Sequence, residues 1–175
     1  LNFNSSLHYT RGKGYYENYK EDEDLEDYQL EPVSIGQETV ESTDLINRKW
    51  LDNHFYGITL SLNYIKGKSD LIFGGGWNTY DGDHYGNIIW ARYAGNADHD
   101  HEWYRNKGLK KDFNFYGKYN YQIIENVSLF ADLQYRRINY TIEGIDDDLR
   151  DISMDHDFNF FNPKLGIFYQ PAVNQ

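Results

Sequence analysis

The chain has 175 residues, a formal net charge of -11 and no cysteine, which removes disulfides, thiolate metal sites and any basic stripe for nucleic-acid phosphate. Aromatic residues make up 18% of it, and no stretch approaches the ~18 apolar residues that a membrane helix needs. Helical spanning is excluded, whereas spanning by strands is not. The acidic runs Glu21-Asp22-Glu23-Asp24, Glu26-Asp27 and Asp146-Asp147-Asp148 are expected on solvated surface.

An alternating run opens the chain at Leu1–Tyr9. It places Leu1, Phe3, Leu7 and Tyr9 on one face and Asn2, Asn4, Ser6 and His8 on the other, the period of a strand with two unlike faces. Because the alternation is already under way at Leu1, the chain is expected to be a fragment of a longer polypeptide. A long loop is predicted over about 10–54, rich in Tyr and acid in its first half, with a short helix at Thr43–Trp50 capped by Asp44.

The second strand is predicted over Phe55–Tyr64, turning at Ile65–Ser69, where Gly67 takes positive φ at little cost. The third covers Asp70–Tyr80, and Gly74-Gly75-Gly76 within it marks a bend or a close backbone approach. A second long loop spans 81–110. Strands over Lys111–Ile123 and Val127–Ile142 follow, joined by a tight turn at Ile124-Glu125-Asn126. A third loop spans 143–157. The last strand, Phe158–Tyr169, is predicted to kink or bulge at Asn162-Pro163, where proline removes a ladder donor.

The pattern predicts an all-β fold, an antiparallel meander of about six strands in three hairpins, with short turns at one end and long loops at the other. That is the build of a transmembrane β-barrel, with strands of about ten residues and aromatics at their ends. Six strands are too few to close one, since the smallest have about eight, so the chain is read as part of a large barrel. Two other readings remain open. One is a soluble, aromatic-rich β-sandwich binding carbohydrate or protein, and the other is a small barrel completed by self-association.

Several segments carry a resemblance. Arg48–Gly57, Gly75–Gly86 and Ile89–Tyr93 are similar to the barrel of TonB-dependent outer-membrane receptors of the Bacteroides type, and Ser128–Arg136 and Phe160–Gly166 resemble further strands of it. Membership would imply a barrel of roughly 22 strands with a plugged lumen. It would also imply import of a scarce nutrient (an iron-siderophore, haem or cobalamin) across the Gram-negative outer membrane. The partners implied are outer-membrane lipid, the remaining barrel strands and plug, the small nutrient ligand, and the TonB complex through a segment outside this chain.

The second loop holds the candidate ligand contacts. Trp90, Tyr93, Trp103 and Tyr104, beside Arg92 and Arg105, would stack on a flat ligand or a partner protein if exposed, or pack among the loops themselves. His99 and His101, with Asp98 and Glu102 beside them, form the most metal-like cluster, because alternate residues of a strand share a face. Asp81–Gly86 lacks the oxygen ligands of a calcium loop and is read as a strand-to-loop turn. No Gly-x-Ser-x-Gly or phosphate loop occurs, and the paired carboxylates lie only in surface runs. No catalytic residue, no enzymatic activity and no cofactor are therefore expected.

Overall fold

Six long strands, each antiparallel to the next, form the body of the computed structural model, which describes residues 1–95 and 97–171. In chain order the strands are β1 (Asn2–Asp24), β2 (Val33–Ile35), β3 (Glu38–Val40), β4 (Ser42–Lys66), β5 (Ser69–Ala91), β6 (His101–Ile124), β7 (Val127–Gly144) and β8 (Met154–Tyr169). The main sheet runs β1-β4-β5-β6-β7-β8, and β2 with β3 forms a small separate hairpin inside the β1–β4 connection. The main sheet does not close, since β1 and β8 each pair on one side only. Apart from the β2–β3 hairpin, whose Val33 packs against a buried cluster at one end of one face, the described residues form no other sheet.

The register turns the period-two pattern into two distinct surfaces. On one face Leu7 lies opposite Ile58, Leu60 opposite Gly75, Gly75 opposite Phe115, and Tyr135 between Phe115 and Phe161. These residues belong to an apolar band that crosses all six strands. The band is exposed, with Leu7 at 79%, Leu165 at 77% and Ile167 at 72%. At its upper edge stands one aromatic per strand: Tyr9, Tyr56, Trp77, Phe113, Tyr135 and Phe161. Tyr64, Tyr119, Tyr121 and Tyr169 line its lower edge. From Tyr56 to Tyr64 is eight residue steps, about 26 Å of strand. The opposite, polar face carries Asn4, Thr59, Ser61, Asn114, Lys118 and Asp132 at the same heights.

Two tight turns close the lower end, Gly67-Lys68 and Glu125-Asn126, and Gly67 adopts φ +57°. Both lie where the sequence places them. The triple glycine is a close approach and not a bend: a Cβ on Gly74 would stand 2.5 Å from the Tyr116 ring, so only hydrogen lets that ring lie against the strand.

At the upper end the strands run far past their predicted limits. The loop expected over 10–54 shrinks to residues 25–41, that over 81–110 to 92–100, and that over 143–157 to 145–153. The helix expected at Thr43–Trp50 is instead the first part of β4, held between β1 and β5 on both sides. Asp81–Gly86 likewise lies within β5 and is not a turn. The reason is cross-strand charge. Arg11 and Lys13 meet Asp52 at 3.3 and 3.0 Å, Arg48 meets Glu17 at 2.6 Å, and Lys107 meets Asp81 at 2.9 Å. Each exposed pair contributes only about 0–1 kcal/mol, but opposite charges favour this register on the side of the extensions that stays exposed, while Leu45, Ile88, Trp103 and Tyr104 are buried on the other.

β8 passes Pro163 opposite Leu133 without a register shift, so no bulge forms there. A strand at the sheet edge leaves one side outside the ladder, where a missing N–H is tolerated. Bulges occur elsewhere, among them one in β5–β6 between Gly86 and Asn87.

Candidate functional site

The buried hydrophobic core among the described residues is small and sits at the loop end of the polar face. It comprises Leu25, Tyr28, Leu30, Leu45, Ile88, Trp103 and Tyr104. The β5–β6 bulge builds it. Gly86 pairs with Tyr104 and Asn87 with Glu102, which leaves Trp103 as the extra residue, and two consecutive aromatics turn onto one face. Gly86 makes room for both, since a Cβ there would stand 2.2 Å from the Trp103 ring.

Two connections fold over this platform. In the first, a single 3-10 turn at Glu26–Tyr28 brings Tyr28 to 5.3 Å from Trp103 between ring centroids. The Gln29 side chain donates to the Trp103 carbonyl at 2.6 Å, and His101 Nε2 lies 2.9 Å from the Tyr28 carbonyl. In the second, the Trp103 indole N–H donates to the Asp147 carbonyl at 3.4 Å, the Asn106 amide donates to the Ile145 carbonyl at 3.0 Å, and Lys49 is ion-paired with Asp147. Burial, reinforced by the nearby Asp147 charge, pushes the Tyr104 phenol up to about 12. Burial and a 2.6 Å hydrogen bond donated to Glu23 raise Tyr28 further. Both phenols stay neutral.

Between the two covers lies a polar cavity of about 220 Å³, bordered by Glu23, Asp27, Tyr28, Asn47, Trp103 and Asp148 with Lys20 and Lys49. Asn47 is 2% exposed, and its Oδ1 has no hydrogen-bond partner. A larger cavity, about 420 Å³, lies elsewhere. It is an open apolar groove in the exposed band, left where Gly75 faces Leu60 and Phe115.

The predicted ligand contacts do not converge. Trp103 and Tyr104 are 1% and 8% exposed and form the platform, so they offer no free ring face. Trp90 stands on the opposite face near Tyr19, 6.5 Å between ring centroids. Arg105 shares that face, paired with Glu102 and lying 4.2 Å over the Tyr85 ring. Arg92 pairs with Asp44 at 3.6 Å, and the Tyr93 backbone N–H donates to Thr43 Oγ1. His99 and His101 separate as well. Asp100 adopts φ +59°, which breaks the alternation, so His99 pairs with Asp100 in solvent while His101 turns to Tyr28. Among the described residues no group of three or more His, Asp or Glu is placed to hold a metal ion. The platform escaped sequence reasoning because it depends on a bulge and on contacts between residues more than seventy positions apart.

The second cover has a built-in acid sensitivity. Asp146 accepts backbone N–H groups of Asp148 and Arg150 at 3.1 and 2.9 Å, and Arg150 Nε at 3.0 Å. The Arg150 guanidinium, followed by its backbone hydrogen bond, holds the Asp146 carboxyl below its ordinary range. A carboxyl depressed in the folded state stabilises that state above its unfolded pKa of about 3.9 and loses the effect as pH falls through the folded value. The amide resonances of Asp148 and Arg150 are therefore expected to hold constant from neutral pH to about 4 and to shift below it. Asp146→Asn should abolish that transition.

No protein-family model matches the chain, and no curated protein matches it.

Proposed function

We propose that this sheet is a segment of an outer-membrane β-barrel. The observation that carries the reading is the exposed apolar band, about 26 Å long along β4 and so about 20 Å tall at a barrel strand's tilt of about 40°, edged by aromatics at both limits and backed by a polar face. Outer-membrane barrels present an outward apolar band of about 25 Å between two aromatic girdles around a polar interior. In water such a surface would exceed by far the few hundred Å² that monomeric soluble proteins leave exposed. Bilayer lipid is the solvent that suits it. The tight turns at Gly67-Lys68 and Glu125-Asn126 then lie on the periplasmic side, and the charged strand extensions with their covered platform rise on the extracellular side. Since the sheet is open, further strands complete the barrel.

Within that class, the segment similarities described above favour a TonB-dependent receptor of the Bacteroides type. Its function would be energised uptake of a siderophore, haem or cobalamin, with no catalytic step.

Two measurements test the reading at its two levels. The chain should gain its far-UV β signature and heat-modifiable gel mobility only with detergent or lipid vesicles, and cooperative folding as a monomer in plain buffer would overturn the barrel. Disrupting the gene that encodes it should abolish uptake of one of the three nutrient classes to the same extent as disrupting TonB. Uptake that persists without TonB would overturn the receptor.

A further inference from the structure

The face that carries the apolar band changes chemistry at the band's upper edge, and it does so in the same way on every strand. The first position above the edge aromatic on that face is Arg11 on β1, His54 on β4, Thr79 on β5, Lys111 on β6, Arg137 on β7 and Asn159 on β8. Three of the six are cations and none is a carboxylate, although acidic residues outnumber Lys and Arg by 28 to 17 in the chain. Carboxylates return one position further from the band on the same face, as Asp52, Asp81 and Asp157. The lower edge lacks this row. Lys66 stands beyond Tyr64 there, but β6 and β7 place Ile123 and Val127 at the matching positions.

The three cations keep donors to offer. Arg11 meets Asp52 and Arg137 meets Asp157, both at 3.3 Å and both through Nη2 alone, with side chains more than half exposed. A guanidinium has five N–H donors in a planar fork, so each arginine can take a second anion. Lys111 is exposed and has no ion-pair partner among the described residues. The row is also spread out, since β1 lies at one edge of the sheet and β6 and β7 on its other side. Its position is therefore set by distance from the apolar band and not by a local pocket.

We propose that Arg11, Lys111 and Arg137 form a contact row for the phosphate groups of outer-leaflet lipid. The inference rests on the barrel reading, which puts the band in hydrocarbon and this row at the height of the headgroups. Cations at the edge of a bilayer are drawn to anionic lipid, each by about fivefold in affinity, and arginine matches phosphate oxygens with parallel N–H donors. Carboxylates in the row would be repelled by the same phosphates, which accounts for their displacement to the next position. A protein partner in water would not require the row to follow the edge of the band from strand to strand.

The test is the lipid selectivity of the intact barrel in phosphatidylcholine vesicles. Electron spin resonance reads the association of spin-labelled phosphatidic acid relative to spin-labelled phosphatidylcholine. The native barrel should prefer phosphatidic acid, and salt should weaken the preference. Neutralising the row with Arg11→Gln, Lys111→Gln and Arg137→Gln together should lower the preference several-fold. Arg11→Lys with Arg137→Lys, which keeps the charge, should retain it, and heat-modifiable gel mobility verifies that each variant is folded. Equal association of the two lipids with the native barrel, or a preference unchanged by neutralisation, would overturn the contact row and spare the barrel. A chain that folds in plain buffer and never enters the vesicles overturns both.

Discussion

Replacing Trp103 with alanine is expected to release both covers while leaving the apolar band intact. Its indole is 1% exposed and touches Tyr28 and Tyr104, with ring centroids 5.3 and 4.8 Å away. Truncating a buried Trp typically costs about 3–5 kcal/mol, and here the loss falls on a cluster with six other buried hydrophobic members. No neighbour can fill the space, since Gly86 directly beneath it has no side chain to contribute. The damage should remain local. Along β6 the apolar band begins at Phe113, ten residues from Trp103, about 33 Å away, and between Tyr104 and Phe113 that strand carries a single apolar side chain, Leu109. Residues 25–41 and 145–153 should therefore become sensitive to proteolysis, and their amides should exchange freely, while amides between Tyr56 and Tyr64 keep their protection. Unchanged proteolysis would mean that the covers are held by hydrogen bonds such as Gln29 to the Trp103 carbonyl and not by the platform. Loss of protection throughout would mean that the platform nucleates the whole sheet.

This division of the molecule explains what could be read from the sequence. Where the strands have one apolar and one polar face, as in Tyr56–Tyr64, every second residue is Ile, Leu or an aromatic, and the alternation is plain. Above Tyr56, outside the buried cluster around Leu45, Ile88 and Trp103, charged and polar residues stand on both faces. Arg11, Lys13 and Glu17 stand on one face of β1, and Thr10, Gly12 and Gly14 on the other. Hydrophobic alternation vanishes there although the ladder continues, so Thr10–Asp24 and Ser42–His54 looked like loop. The usable signal was charge at period two, answered by opposite charge across the register: Arg11 and Lys13 against Asp52, and Glu17 against Arg48. The site was less legible than the fold. Trp103 and Tyr104 are adjacent, and alternation would send them to opposite faces; only the bulge unites them. The same logic fails for His99 and His101, where a left-handed Asp100 separates residues that alternation would join.

An arginine at Leu60 gives the sharpest separation between a membrane sheet and a water-soluble one. Leu60 lies on the apolar face of β4, midway between the girdle residues Tyr56 and Tyr64, and is 42% exposed. In water, a half-exposed surface leucine accepts arginine with a change within about 0.5 kcal/mol, because the guanidinium stays solvated and the stem covers neighbouring apolar surface. At the midplane of a bilayer the same substitution on the lipid face of a barrel costs about 2–4 kcal/mol, falling to about 0–1 near the interfaces. Leu60→Arg should therefore destabilise the barrel in lipid vesicles by that larger amount, read from chemical denaturation, whereas Tyr56→Arg should cost far less of the depth-dependent part. Thr59→Arg provides the control. It is one residue away on the polar face, where charge meets the Asn- and Ser-lined side of the sheet. A cost that rises from Tyr56 to Leu60 and disappears at Thr59 is produced only by a low-dielectric slab on one side of the sheet. Equal costs at all three positions would refer the apolar band to a protein partner in water and remove the ground for placing this chain in a membrane.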